Sequence, residues 1–149
     1  MLKVSVLLLS TVAVLFVQSS AYRILGVFPL NGRSHDMMFS SLMEGLAKRG
    51  HKVDVVTHFP PKHPPKNYKT IINLSGTMES LVNNFTIDFV LGFGGNVVDP
   101  IANLYGNRLC DLMGLEEFQQ LIHHPPSDPP YDIFITEVSF VVMIVQLCT

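Results

Sequence analysis

Short runs rich in apolar residues recur along the chain, and each has the length of a buried strand rather than of a helix. The clearest runs are 23–28, 53–59, 68–74 and 131–137. Between the first two, over 35–49, apolar residues recur instead at helical spacing. Strands that alternate with helices predict an α/β fold with a mainly parallel sheet.

The helix between the first two runs has recognisable start and stop signals. Ser34 is the predicted N-cap, Lys48 and Arg49 lie in the last turn, and Gly50 follows them. The strand–helix–strand unit is complete within about 40 residues, which is a normal size for a βαβ unit.

The middle of the chain is less regular. A helix is expected within 77–90, weaker helical periodicity covers 97–113, and 115–123 predicts a short amphipathic helix. Proline-rich loops at 60–65 and 124–130 separate these segments from the neighbouring strands.

The first 21 residues have the organisation of a secretory signal peptide. Lys3 precedes an apolar stretch at 4–17, and the small residues Ser19 and Ala21 suit cleavage after Ala21. The alternative is an uncleaved N-terminal anchor, for which the apolar stretch is short. The prediction is therefore entry into the secretory pathway.

Composition narrows the function classes. The net charge is −2 and only 15% of residues are charged, so no basic patch favours nucleic acid. The mean hydropathy of +0.34 is apolar for a soluble domain, as expected where apolar surface is normally covered.

Two cysteines make no disulfide framework. Cys110 is interpreted as a small buried hydrophobic residue, although a bridge to Cys148 is compatible with the sequence. Asn73 and Asn84 begin possible N-glycosylation sequons.

Two polar residues follow predicted strands at the edge where open α/β sheets bind ligands. His35 comes after the first strand, in the first turn of the helix, and Glu137 ends the fourth strand. The positive end of a helix keeps imidazole neutral, and a carboxylate on its other nitrogen would fix the tautomer. Such a pair can deprotonate a hydroxyl. The alternative is that His35 only caps the helix or packs locally.

Other chemistry is not indicated. The first turn lacks a dinucleotide fingerprint, and no Cys/His spacing resembles a metal site. Surface or packing roles are predicted for the remaining histidines, which are His51, His58, His63, His123 and His124.

Several of these segments resemble one family. The dipeptide Ser34-His35, the run KRGHKVDVV at 48–56 and the run PPSDPPYD at 125–132 look like the N-terminal part of UDP-glycosyltransferases, the glucuronosyltransferase-like family, especially its insect members. The resemblance covers about 21–137.

The resemblance implies one half of a two-domain GT-B fold with facing Rossmann-like halves. Residues 22–139 would form an incomplete N-terminal domain for a small lipophilic acceptor, and the other half would bind the UDP-sugar. His35 matches the family's general base. Glu137 occupies the position of its orienting carboxylate, which is usually Asp.

Two departures limit what the chain is expected to do. The family continues after Glu137 with a polar helix, whereas 140–149 is a divergent apolar tail. The donor-binding signature and the C-terminal membrane anchor have no counterpart. This part alone is therefore expected to bind no cofactor and to transfer no sugar, because donor and acceptor must be held together.

Three hypotheses follow. The chain is a fragment of a transferase; or a non-catalytic module that binds a lipophilic ligand or pairs with full-length relatives; or a truncated product that does not fold stably. If the chain ends at Thr149, the expected location is luminal or secreted. If it continues as the family does, an endoplasmic-reticulum membrane protein is implied.

Overall fold

The structure, a computed structural model, describes residues 21–78, 86–92, 94 and 106–137. Most of the predicted signal peptide, the sequon at Asn84, Cys148 and the tail at 140–149 lie outside the described residues. The expectations for those segments remain predictions.

Within these described ranges, four strands form one sheet in which every neighbouring pair is parallel. The strand order is β3-β2-β1-β4, so the first strand lies in the interior of the sheet. The predicted α/β class with a parallel sheet is confirmed, and this sheet is consistent with a Rossmann-like fold. In chain order the elements are β1 (Arg23–Phe28), α1 (Arg33–Lys48), β2 (Lys52–Thr57), β3 (Tyr68–Asn73), α2 (Ile87–Leu91), α3 (Asn107–Met113), α4 (Glu116–His123) and β4 (Ile133–Thr136).

The two inner strands, β1 and β2, are buried on both faces, which explains why their central residues form mostly apolar runs rather than alternating ones. The edge strand β4 is more open, because Ile133 is 39% exposed and Phe134 is 56% exposed, so a buried strand at this position is not what the structure shows. On one face Ile24 and Phe28 of β1 pack with Met43 and Ala47 of α1. The opposite face carries a second cluster, to which strands and the helices α3 and α4 contribute Val27, Val56, Ile72, Leu74, Leu109, Leu112 and Phe118.

Helix α1 begins two residues earlier than the capping pattern predicts. Its N-cap is Gly32, without a side-chain cap hydrogen bond, and Ser34 lies inside the first turn, so the assignment of Ser34 as N-cap is wrong. The first helical hydrogen bond runs from Asp36 N to Gly32 O at 3.0 Å. The C-terminal end follows the prediction: Gly50 has φ +98°, which glycine adopts without strain.

In the less regular middle, part of the chain lies outside the described residues. The described helix Ile87–Leu91 overlaps the end of the segment 77–90, and Asn107–Met113 lies within 97–113. Cys110 of α3 is only half-buried and is disulfide-bonded, so its interpretation as a small buried hydrophobic residue is wrong. Among the described helices, none has the length and apolar character needed to cross a bilayer.

Candidate active site at the carboxyl ends of β1 and β4

The two sequence-predicted site residues lie together at one edge of the sheet. β1 and β4 are parallel neighbours, with Val27 opposite Thr136, so the segments that follow them meet at their carboxyl ends. His35 Nε2 lies 3.5 Å from Glu137 Oε1. The pairing of these strands brings this base and this carboxylate into contact range.

The imidazole of His35 is accessible to solvent, and its Nε2 faces the carboxylate of Glu137. Its side chain is 53% exposed, and its Nδ1 lies 3.4 Å from Ser34 Oγ. A proton on Nε2 points toward Glu137, and Nδ1 then carries the lone pair. The ring can therefore accept a proton at Nδ1 from a group that approaches from solvent.

Glu137 is the buried member of the pair. Its side chain is only 9% exposed, and burial raises the pKa of the carboxyl group, while the neighbouring His35 charge acts to lower it. The strand that ends directly before Glu137 is anchored, because Thr136 Oγ1 donates a hydrogen bond to Val27 O at 2.8 Å. An imidazolium at His35 is thus stabilised by a carboxylate in a partly desolvated place.

A buried polar cluster beneath this pair was not predicted from the sequence. Asp36, next to His35, is only 6% exposed, and its Oδ1 accepts hydrogen bonds from Thr57 Oγ1 and Ser40 Oγ, both at 3.0 Å. An acidic residue in a first helical turn ordinarily suggests a solvated partner for the helix dipole. The only local hint is that a hydroxyl residue, Thr57, ends an otherwise apolar strand.

His58 is the buried histidine of the structure's described part. It is 4% exposed, its Nε2 donates to Pro29 O at 2.9 Å, and burial lowers its pKa. Among the residues that the structure describes, no hydrogen-bond partner lies at its Nδ1. The packing role predicted for His58 fits this position, which braces the loop between β1 and α1.

The remaining histidines do not assemble with the pair. His51 Nδ1 accepts a hydrogen bond from Tyr22 N, and His123 Nε2 lies 3.2 Å from Gln119 Oε1. Within the described ranges, no group of three or more His, Cys, Asp or Glu side chains is arranged to hold a metal ion.

The opposite, amino edge of the sheet is closed by a charged cluster. Arg23 Nε and Nη2 donate to Asp54 Oδ2 at 3.2 and 2.9 Å, and the Tyr131 hydroxyl donates to the same oxygen at 2.9 Å. The Arg23 guanidinium also lies 4.7 Å above the Tyr131 ring. Burial, together with Asp54, raises the pKa of Tyr131 to about 12, so the phenol remains a donor at neutral pH.

The chain is similar to the protein named UDP-glucosyltransferase 2 from Dactylopius coccus, with 36% identity over 109 residues. The match covers 72% of this chain, whereas it spans about one fifth of the relative's length, at 21%. No family model and no solved structure matches the chain. The sequence similarity therefore relates the chain to a UDP-glycosyltransferase.

Proposed function

We propose that this chain is the N-terminal, acceptor-side part of an insect-type UDP-glycosyltransferase, with His35 as general base and Glu137 as its orienting carboxylate. The observation that carries the proposal is the 3.5 Å approach of His35 Nε2 to Glu137 Oε1 at the carboxyl edge of β1 and β4. This is the edge at which open α/β sheets bind their ligands. The similarity to a UDP-glucosyltransferase supports the same reaction class.

In the proposed reaction the lone pair of His35 Nδ1 takes the proton of an acceptor hydroxyl. The hydroxyl oxygen forms a bond to the anomeric carbon of the UDP-sugar, and the bond from that carbon to the UDP oxygen breaks, so UDP leaves with the electron pair. Glu137 holds the proton on Nε2 before the reaction and stabilises the imidazolium afterwards.

The donor site belongs, in this proposal, to a second half of a GT-B enzyme that a longer protein supplies. The acceptor is a small lipophilic molecule, and the location is the secretory pathway, since the first 21 residues have signal-peptide organisation. Without a donor half the chain alone holds no UDP-sugar in line with the hydroxyl, so the activity test requires the complete enzyme.

The test is a glycosyl-transfer assay on a full-length protein that contains this sequence, with UDP release and glycoside formation both measured. His35→Ala should lower kcat by roughly 10²- to 10⁴-fold, the range that a positioned general base contributes. Glu137→Gln should also lower kcat, because the amide cannot stabilise the imidazolium charge.

The matched control is His63→Ala, because His63 is an exposed histidine in the loop after β2. It should leave kcat and KM unchanged. Wild-type transfer activity that survives His35→Ala undiminished would rule out the assigned base.

A further inference from the structure

The first turn of α1, which carries His35, lacks the usual local support. Gly32 at the N-cap provides no side-chain hydrogen bond. The first turn of a helix has unsatisfied N–H groups and frays readily when no side chain caps it. A tertiary contact must therefore hold this turn if the His35 ring is to keep its place.

Asp36 makes such a contact through a hydrogen bond, and in the same turn the Arg33 guanidinium lies 5.1 Å above the Phe59 ring. The Asp36 carboxylate is buried, and Oδ1 accepts a 3.0 Å hydrogen bond from Thr57 Oγ1, which lies at the end of β2 and is 1% exposed. The Thr57 hydroxyl also accepts a hydrogen bond from Phe59 N at 3.0 Å, so its single proton is available for Asp36. This bond joins the helix to the sheet at the residue directly after His35.

A second hydrogen bond to Asp36 Oδ1 comes from within α1 itself and not from the sheet. Ser40 Oγ donates to Asp36 Oδ1 at 3.0 Å, but Ser40 lies one turn further along the same helix. It satisfies the carboxylate without attaching α1 to anything else. Burying a carboxylate is costly unless it is paired, and the two hydroxyls and the Arg33 guanidinium, whose Nη1 lies 3.7 Å from Asp36 Oδ2, make this burial tolerable. Ser40 and Arg33 belong to α1 itself, so among these three partners only Thr57 attaches the carboxylate to the sheet.

We propose that Asp36 and Thr57 are positioning residues for the His35–Glu137 pair, acting through the hydrogen bond that fixes the first turn of α1 to the end of β2. The inference rests on the proposed function for its catalytic consequence. Independently of any catalytic role, we expect the His35 ring to move away from Glu137 when this hydrogen bond is lost.

The kinetic test compares two variants, each of which removes one of the two hydroxyl groups that donate to Asp36 Oδ1. Thr57→Val in the full-length transferase should lower kcat roughly ten- to hundredfold with little change in KM, since misplacing a catalytic group by about 1 Å costs up to about 10²-fold. Ser40→Ala should stay within about twofold of wild type. Thr57→Ser keeps the hydroxyl and should restore kcat.

A second readout needs no activity. In the full 149-residue chain, the Glu137 carboxyl carbon is followed by NMR through a pH titration, with Glu137→Gln for assignment. The pKa of Glu137 should be higher in His35→Gln than in wild type, because the His35 charge lowers it. Thr57→Val changes no charge, so a rise toward the His35→Gln value reports that the ring has moved away.

The outcomes separate the two proposals. A full-length wild-type protein without transferase activity would refute the proposed function, while the Glu137 titration would still test positioning. A Thr57→Val protein that melts at lower temperature but keeps both kcat and the wild-type Glu137 titration would overturn the positioning role. If Thr57→Val does not fold, the double variant Thr57→Val with Asp36→Asn replaces it, because it leaves no unpaired buried carboxylate. Asp36→Asn alone is then the reference for kcat and for the Glu137 titration, since these two variants do not differ in charge.

Discussion

At the scale of single residues, burial distinguishes the two histidines near the carboxyl edge of the sheet. His35 has a 53% exposed side chain, whereas His58 is 4% exposed and donates to the Pro29 carbonyl. Both residues lie close to the loop between β1 and α1, but they differ in their access to solvent. The exposed ring can exchange protons with a ligand, and the buried ring contributes packing and one hydrogen bond.

Because burial lowers the pKa of His58 below 6.5, its protonation opposes folding. The unfolded chain takes up the proton first as the pH falls, so stability is full above about pH 6.5 and declines through the lower folded-state pKa. Each unit of lowering corresponds to about 1.4 kcal/mol. Denaturant unfolding of wild type at pH 7.5 and 5.0 should show this loss.

The comparison that isolates His58 is His58→Gln, whose amide can still donate to Pro29 O. The variant should lose much of the pH dependence, and His63→Gln, in an exposed loop, should retain it. Glu137 acts with the opposite sign: its raised pKa favours the folded state as the pH falls. An identical pH slope in wild type and His58→Gln would contradict the prediction.

At the scale of elements, the approach of β1 to α1 decides the local packing. A Cβ added at Gly26 would lie 2.5 Å from Met43 Cε and 2.8 Å from Phe28 Cε2. Both neighbours belong to the cluster between the sheet and α1. Glycine at this position is therefore needed for close contact between strand and helix, which the apolar pattern of the strand does not reveal.

Gly26→Ala should destabilise the fold by about 1–3 kcal/mol through overpacking. Combining it with Met43→Leu, which removes the terminal methyl group, should recover part of the loss. The control is Gly45→Ala in α1, where nothing lies within 4 Å of the added Cβ, so a gain of about 0.5–1 kcal/mol is expected. Free energies of unfolding from denaturant titration measure all three, and a neutral Gly26→Ala would show that the contact yields.

At the scale of the whole molecule, the two edges of the sheet are built differently. The carboxyl edge presents the accessible His35 beside the buried Glu137. The amino edge is closed by the Arg23, Asp54 and Tyr131 cluster, which joins β1, β2 and the segment before β4. Interlocking bonds at one edge hold the strand ends together while the other edge remains available for a ligand.

Tyr131→Phe should destabilise the fold by about 1 kcal/mol, because Asp54 Oδ2 loses one donor while Arg23 still pairs with it. Tyr22→Phe is the control, since Tyr22 is 46% exposed. Equal free energies of unfolding for both variants would contradict a role for the Tyr131 hydroxyl. The His35 site lies at the other edge, so the transfer activity proposed for the full-length protein should change little at temperatures well below melting.

Part of this architecture was predictable from the sequence, namely the features that depend on neighbours along the chain. Features that depend on tertiary contacts were not predicted. The strand at 23–28 and the glycine after α1 were predicted because each depends on neighbours along the chain. The N-cap was assigned to Ser34 because its side chain suits that role, yet the helix begins earlier. The buried Asp36 was missed, since its burial depends on Thr57, which the chain brings close only through the sheet.

By itself the sequence determined the strands, the main helix and the α/β class, because short-range periodicity and capping specify them. It also identified His35 and Glu137 as candidates, since each follows a strand at the ligand-binding edge. The tertiary structure alone decided that β4 lies beside β1, which brings His35 to 3.5 Å from Glu137, and that Asp36 is buried against Thr57. Contacts between residues far apart in sequence follow from strand order and packing, and no local pattern encodes them.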